Sequence, residues 1–225
     1  MRELDQNGAG KVEGVRERKR RQTRQRIAEQ GLRLFLADGY ESTTLDAIAA
    51  AAGISRRTFF SYFKSKDDIL SAWQEGFWDA VFADILRASP DFLPLHVVRD
   101  VLIRHVSRFT TDEMIAIDRL MWSSETLLAS KPAAYARQEQ ALFAILCEVW
   151  RQPQRQERLR TVAMLSIGTM RLAIDAWNRA GGNRSAVYFL REAFDGLMHE
   201  LALEHAGAAA VIKKRRRERN PIRQR

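Results

Sequence analysis

Between Thr43 and Lys66 the chain reads TTLDAIAAAAGISRRTFFSYFKSK, and the punctuation of this stretch leaves the fold little freedom. Thr43 is followed three residues later by Asp46, a spacing whose side chains can satisfy free N–H groups at a helix start, so a helix is expected to begin near Thr44. Leu45, Ile48, Ala49 and Ala52 recur at three- and four-residue spacing and give that helix one apolar face. Gly53 then supplies the unhindered backbone that a sharp turn needs. Ser55 reads as a second N-cap, and Phe59 and Phe63, four residues apart, would bury one face of a second short helix against the first. Ser65 with Asp68 forms a third cap, opening a long helix that carries Lys66 in its first turn.

The opposite face of the second helix carries Arg56, Arg57, Thr58, Phe60, Ser61 and Tyr62. Arginines at a helix start can meet phosphates or guanine edges, and hydroxyls suit phosphate oxygens. Two adjacent arginines alone describe a solvated turn equally well. What separates the readings is the order cap, turn, cap, aromatic pair: a merely solvated helix has no need of a partner packed across it at this spacing. The stretch reads as a helix-turn-helix with DNA as its partner.

From about Arg18 to Leu70, and above all in LFLADGYESTTLDAIAAAAGISRRTFFSYFKSKDDIL, the chain resembles the DNA-binding domain of the TetR (tetracycline-repressor) family of bacterial transcriptional regulators. The resemblance covers roughly the first third of the chain. It rests on a helix ending at Gly39, Thr-Thr opening the next, Gly-Ile-Ser before the recognition helix, and Tyr-Phe-Lys-Ser-Lys. It implies phosphate contacts from Thr44 and Lys66, with Arg56, Arg57, Thr58, Phe60, Ser61 and Tyr62 in or beside the major groove. Thr43 and Ser55, which open the two helices, complete the candidate set. Phe60 stands where the family often has tyrosine, which exchanges a hydroxyl contact for apolar contact with a thymine methyl.

The formal charge of +9 fits a polyanionic partner. Its distribution says more than its sum. Residues 11–26 carry net +6 and residues 211–225 net +7, so the rest of the chain is net negative. The first basic run leads into a helix with Ile27, Gly31, Leu34 and Phe35 on one side. It is expected beside DNA, where the resemblance implies an arm reaching a neighbouring minor groove; a solubilising tail is the alternative. The terminal KKRRRERNPIRQR is a like-charge block expected to be disordered. The expected organisation is a basic arm at 1–16, the helix-turn-helix domain at 17–64, a helical ligand-binding and dimerisation domain at 65–206, and a basic tail at 207–225.

Beyond Ser65 the pattern is helical throughout, giving an all-α fold of about nine helices. One helix should run to about Arg87. Pro90 and Pro94 mark a loop, Thr111 starts the next helix, Ser130 with Pro132 another, Gly181 and Gly182 end a long one, and Asn183 caps the last, which reaches about His205. The resemblance implies a homodimer through the last two helices, for which Leu165, Leu172, Ile174, Trp177, Val187, Leu190, Phe194, Leu197 and Leu201 supply apolar surface. Two recognition helices entering successive major grooves must lie about 34–36 Å apart, so the target should be a pseudo-palindrome. The resemblance also implies a small-molecule effector among the middle helices and makes the helix after Lys66 the lever. Trp78, Phe82, His105, Met121, Trp122, Phe143, Met164 and Met170 are the candidate lining, favouring an apolar or aromatic ligand. Core packing is the alternative for each.

Catalysis is not expected. His199 and His205 in HELALEH are six residues apart, unlike the four-residue spacing of a zinc-binding helix, and His96 and His105 are isolated. There is no glycine-rich phosphate loop, nucleophile elbow or CxxC pair, so neither a metal nor a cofactor is called for. Asp118 and Asp175 read as ion-pair partners of Arg119 and Arg171. Cys147 is the single cysteine and reads as a buried thiol. Residues 1–10 lack an apolar signal core and no uncharged run approaches about 18 residues, so a cytoplasmic protein without a membrane partner is expected. The sequence thus points to a dimeric repressor released from its operator by a small molecule. Its competitors are a sequence-nonspecific DNA binder using the basic termini and a helical ligand-binding protein whose DNA domain is idle.

Overall fold

The computed structural model describes residues 14–219, with side chains through Leu203, and divides the chain into two compact units at Gly76 and Phe77. The first unit therefore takes in the first half of the helix that follows Ser65, beyond the expected boundary at residue 64. Among the described residues every regular element is helical, as expected of an all-α chain, and no described helix is long and apolar enough to cross a membrane.

The first unit holds α1 (Val15–Asp38), α2 (Leu45–Ala51), α3 (Arg56–Phe60) and the start of α4 (Lys66–Leu86). Helix α1 starts at Val15, so the basic run from Arg16 onward is its exposed first turns, and residues 1–13 of the expected arm lie outside the described residues. Its core joins Ile27, Leu32 and Phe35 of α1, Ile48 and Ala49 of α2, Phe59 and Phe63, and Ile69 and Leu70 of α4. Phe59 and Phe63 are completely enclosed, each worth about 1.5–3 kcal/mol of burial, and this fixes which face of α3 is turned inward. Gly31 makes the α1–α4 approach possible: a Cβ there would stand 2.5 Å from Ile69 Cγ2.

The second unit contains the rest of α4, α5 (Pro94–Val106), α6 (Thr111–Ser123), α7 (Glu125–Val149), a 3-10 turn at Pro153–Arg155, α8 (Gln156–Arg179) and α9 (Ala186–Arg219). Val81, Ile85, Leu102, Leu142, Leu146, Leu159, Trp177 and Phe194 are among the side chains of its core. Thr110 and Glu113 close a reciprocal capping box at the start of α6.

Three boundaries differ from expectation. The break before α7 falls at Ser124, whose side chain accepts the Leu127 N–H, and Pro132 lies inside α7. A proline there removes one backbone donor, a cost that twenty-five helical residues packed mainly on α8 outweigh. Ser185 rather than Asn183 offers its hydroxyl to the start of α9, accepting the Tyr188 N–H at 3.3 Å. Finally, α9 continues to Arg219 instead of ending near His205. The Ala-rich stretch and the Lys, Arg and Glu after it are strong helix formers, and no Pro interrupts before Pro221. Helix thus replaces the expected disorder over 207–219, while residues 220–225 lie outside the described residues.

Candidate nucleic-acid interface

The turn between α2 and α3 is built by backbone rules. Ala52 ends α2, Gly53 adopts φ +66°, its N–H donates to Ala50 O at 3.0 Å, and the Ile54 N–H reaches Ala49 O at 3.1 Å. This is the paired closure of a Schellman motif, which needs a left-handed residue after the helix. The next residues start α3 at once: Ser55 Oγ accepts the Thr58 N–H at 3.1 Å and shares a 2.8 Å hydrogen bond with Thr58 Oγ1. Thr44 does the same for α2, accepting the Ala47 N–H at 3.1 Å.

With Phe59 and Phe63 inside, α3 leaves Arg56, Arg57, Thr58, Phe60 and Ser61 exposed as one run, with Ser55 and Thr44 exposed beside it and Tyr62 half-buried. Arg56 Nη1 lies 3.0 Å from Asp46 Oδ2, and its guanidinium sits 5.6 Å from the Phe60 ring centroid. Both members of the ion pair are exposed, so the pair contributes about 0–1 kcal/mol and exchanges readily for another anion. Arg57 has no hydrogen bond or ion pair with a described residue. Ser61 Oγ donates to Thr58 O at 2.6 Å, which leaves its oxygen as an acceptor.

Two candidates are placed otherwise. Thr43 is buried, its hydroxyl donating to Gly39 O at 2.7 Å and directed also at Leu34 O at 3.3 Å, so it locks the α1–α2 connection and Thr44 alone is the cap. Lys66 is half-buried. Its ammonium donates to Tyr40 O at 2.5 Å and Glu41 O at 3.0 Å and lies 4.9 Å from the Tyr40 ring centroid. Sequence reasoning missed Tyr40 itself, whose hydroxyl donates to Asp67 Oδ1 at 2.6 Å. Burial, then the hydrogen bond to Asp67, pushes its phenol above the ordinary tyrosine value. The only signal available was a tyrosine just after Gly39, which spacing rules do not single out.

In the second unit the eight candidate lining residues occupy different surroundings. Trp122 and Met164 are exposed, at 51% and 52%; Trp122 donates to Asp118 and stacks under Lys131, 3.9 Å from its ring centroid. Trp78 and Met121 are core residues, and Phe82, Phe143 and Met170 pack half-buried against the core. His105 is a partnered core histidine: its Nε2 lies 2.8 Å from Asp84 Oδ2, and Phe77 packs edge-on against its ring. That hydrogen bond holds the Asp84 carboxyl below the usual carboxylate range against the opposing effect of burial, with Arg104 and Arg87 adding to it. Asp118 accepts from Trp122 and Asn178 rather than from Arg119, and Arg171 lies over the Tyr135 ring. Cys147 is half-buried, and burial pushes its thiol up.

Known proteins place this arrangement. Residues 27–73 match the description "Bacterial regulatory proteins, tetR family". The chain is 44% identical over 72 residues to the HTH-type transcriptional regulator TcmR of Streptomyces glaucescens, covering 30% of this chain and 32% of that protein. It is 34% identical over 98 residues to the HTH-type transcriptional regulator AcrR of Shigella flexneri, covering 41% of this chain and 44% of that protein. The matches thus span about a third to under a half of these relatives. In fold, the chain is similar to SmeT, the repressor of the Stenotrophomonas maltophilia multidrug efflux pump SmeDEF, with a TM-score of 0.52 and 17% identity over 79% of this chain and 89% of that one. The similarity to the tetR family of bacterial regulatory proteins thus lies in residues 27–73, within the unit built from α1 to the start of α4.

Proposed function

We propose that this protein is a dimeric transcriptional repressor that reads a pseudo-palindromic DNA operator with the exposed face of α3 and leaves it when a small molecule binds the second unit. The observation that carries the reading is the α3 surface: Phe59 and Phe63 anchor the helix inward, and Arg56, Arg57, Thr58, Phe60 and Ser61 remain as one exposed run of donors, acceptors and one aromatic ring. Such a run suits guanine edges, phosphates and thymine methyls. Dimerisation through α8 and α9 is supported by apolar side chains left exposed there, Leu172 at 66% on α8 and Leu203 at 52% on α9. Of the other expected interface residues, Trp177, Leu190 and Phe194 are buried within the protomer. The names of the relatives, HTH-type transcriptional regulators, support a regulator over an enzyme.

The exposed basic start of α1 favours one competing reading, sequence-nonspecific binding by the termini. Selection of bound sequences from a random DNA pool, by the full chain and by a form that lacks residues 211–225 and carries glutamine in place of Arg16, Arg18, Lys19, Arg20 and Arg21, separates the two. A shared inverted repeat enriched by both forms is the expected result. Enrichment of nothing, with affinity that collapses when the ends are altered, gives the function to the basic termini.

A further inference from the structure

We propose that the cleft between the start of α5, the start of α8 and the middle of α9 binds a small amphipathic anion, a carboxylate or phosphate on a short apolar body. The cleft has a volume of about 350 Å³, within the range of about 300–1,000 Å³ typical of small-ligand sites. Its floor is apolar, with Leu159, Val162 and Met198 among its lining. Its polar groups are all of one kind: His96, Arg155 and Arg158, with no carboxylate among the described lining residues.

Those basic groups lack partners among the described residues. Neither the Arg155 nor the Arg158 guanidinium has a hydrogen bond or ion pair with a described residue, and His96 Nδ1 is buried without a partner. The start of α5 adds to the same charge. Leu93 stands at its N-cap and offers no side-chain acceptor, and Pro94 occupies the first helical position. The N–H groups of Leu95 and His96 are therefore left at the positive end of a thirteen-residue helix. Two uncompensated guanidiniums and an uncapped helix start above an apolar floor match a ligand with one anionic head and one greasy end.

The neighbouring surface shows what a compensated site looks like. Another cleft, between α5 and α9, gathers three arginines, Arg99, Arg104 and Arg191, but Asp100 and Asp195 line it with them. Arg99 reaches both carboxylates, at 2.7 and 3.1 Å, so its charge is already answered inside the protein. Among the described residues no such answer exists for Arg155 and Arg158.

Binding at this cleft would supply the effector step of the function proposed above and rests on that reading only for its biological role. It is tested without DNA, so failure here and failure of operator recognition are read separately. The full chain is titrated by calorimetry with octanoate, octyl phosphate, octylamine and octanol. At least one of the two anions is expected to bind saturably, and octylamine and octanol to bind about tenfold more weakly or worse, the worth of one charge-assisted contact. The stronger of the two anions identifies the head group. Arg155→Gln with Arg158→Gln should weaken the anion about tenfold while leaving the circular dichroism and unfolding midpoint unchanged, since neither side chain is in the core. Equal binding of octylamine, absence of saturable binding by both anions, or an anion affinity untouched by the double substitution would each overturn the proposal. So would a double variant that changes only the sedimentation of the protein, which would give the cleft to a second copy of the chain.

Discussion

Arg56 and Asp46 make the sharpest test of the proposed recognition surface, because under that proposal the ion pair of the free protein is given up on DNA. The pair is exposed on both sides, 71% and 56%, so its contribution is at most about 1 kcal/mol. The Phe60 ring adds about 0.5–1 kcal/mol of cation–π attraction that need not be lost on binding. A guanidinium that reads a guanine is worth about 1–3 kcal/mol of discrimination. Under the proposed function Arg56→Ala removes that contact and also leaves Asp46 unpaired, and a carboxylate roughly 8 Å from a phosphodiester would be repelled by roughly 0.5 kcal/mol in a water-like dielectric. The expected loss is therefore about 1.5–3.5 kcal/mol. Asp46→Asn has the opposite sign. It frees the arginine and removes the repulsion, so operator binding should tighten by about 0.5–1 kcal/mol, roughly two- to fivefold. The cycle is completed by the double variant and read by fluorescence anisotropy on the selected operator over a salt series. Asp46 also lies in the first turn of α2, so thermal unfolding is followed in parallel to register the loss of its favourable placement at a helix start. If Asp46→Asn weakens specific binding in a folded protein, or Arg56→Ala leaves it unchanged, Arg56 does not face DNA and the assignment of the α3 surface fails.

Three further outcomes follow from the packing. Gly31→Ala should destabilise the first unit by about 1–2 kcal/mol, because the clash with the buried Ile69 outweighs the roughly 1 kcal/mol that alanine gains over glycine in a helix; urea unfolding that shows a net gain would mean Ile69 has room to move. Tyr40→Phe removes a hydrogen bond to a carboxylate and should cost about 1.5–3 kcal/mol in the same assay. Asp84 is held below the usual carboxylate range, so its contribution is complete above the unfolded value of about 4 and is lost as pH falls through its lower folded value. Asp84→Asn should accordingly lower stability at neutral pH and flatten the acid limb of the unfolding profile, and an unchanged acid limb would remove Asp84 from the account.

Where a residue's role was set by its near neighbours in sequence, it could be read directly. Thr44, Ser55 and Ser65 cap helices within three residues of themselves, Gly53 closes α2 with backbone bonds to Ala50 and Ala49, and Phe59 and Phe63 share a face by spacing alone. Where a role depends on contacts distant in sequence, the local pattern was ambiguous or misleading. Thr43 and Thr44 are equivalent caps by type, and only the carbonyls of Gly39 and Leu34 draw Thr43 inward. Pro132 is a helix breaker by rule, yet tertiary packing carries α7 through it. The cleft beside Arg155 and Arg158 draws on residues from Leu93 to Leu201, a juxtaposition no spacing rule reveals. Among the Met and Trp positions singled out as ligand lining, Trp122 and Met164 are exposed and Trp78 and Met121 buried, because helical spacing says that a residue shares a face, not whether that face meets a cavity, a neighbouring helix or water.

The start of α4 bears on how an effector could act. Lys66 was expected to reach a phosphate, but two carbonyl oxygens and the Tyr40 ring already surround its ammonium, and a phosphate would have to displace them. The same turn is closed by Ser65 and Asp68, which cap each other reciprocally, by Tyr40 on Asp67, and by the completely buried Ile69 and Leu70. One turn on, Glu75 receives Arg24 of α1 at 2.6 Å, and Arg24 also lies over the Phe63 ring. From Lys66 to Glu75, then, α4 is part of the core that holds α3. Under the proposed function Lys66 therefore stiffens the lever instead of touching DNA, and no loose joint within this stretch absorbs a displacement of α4. The energetic demand on the effector is correspondingly plain: to weaken operator binding tenfold it must favour the DNA-incompetent arrangement by about 1.4 kcal/mol, and it must do so through groups that contact it differently in the two arrangements. An anion engaging Arg155 and Arg158 meets that demand only if the cleft changes shape between those arrangements, so the affinity of octanoate for the operator-bound protein, compared with the free protein, measures the coupling directly.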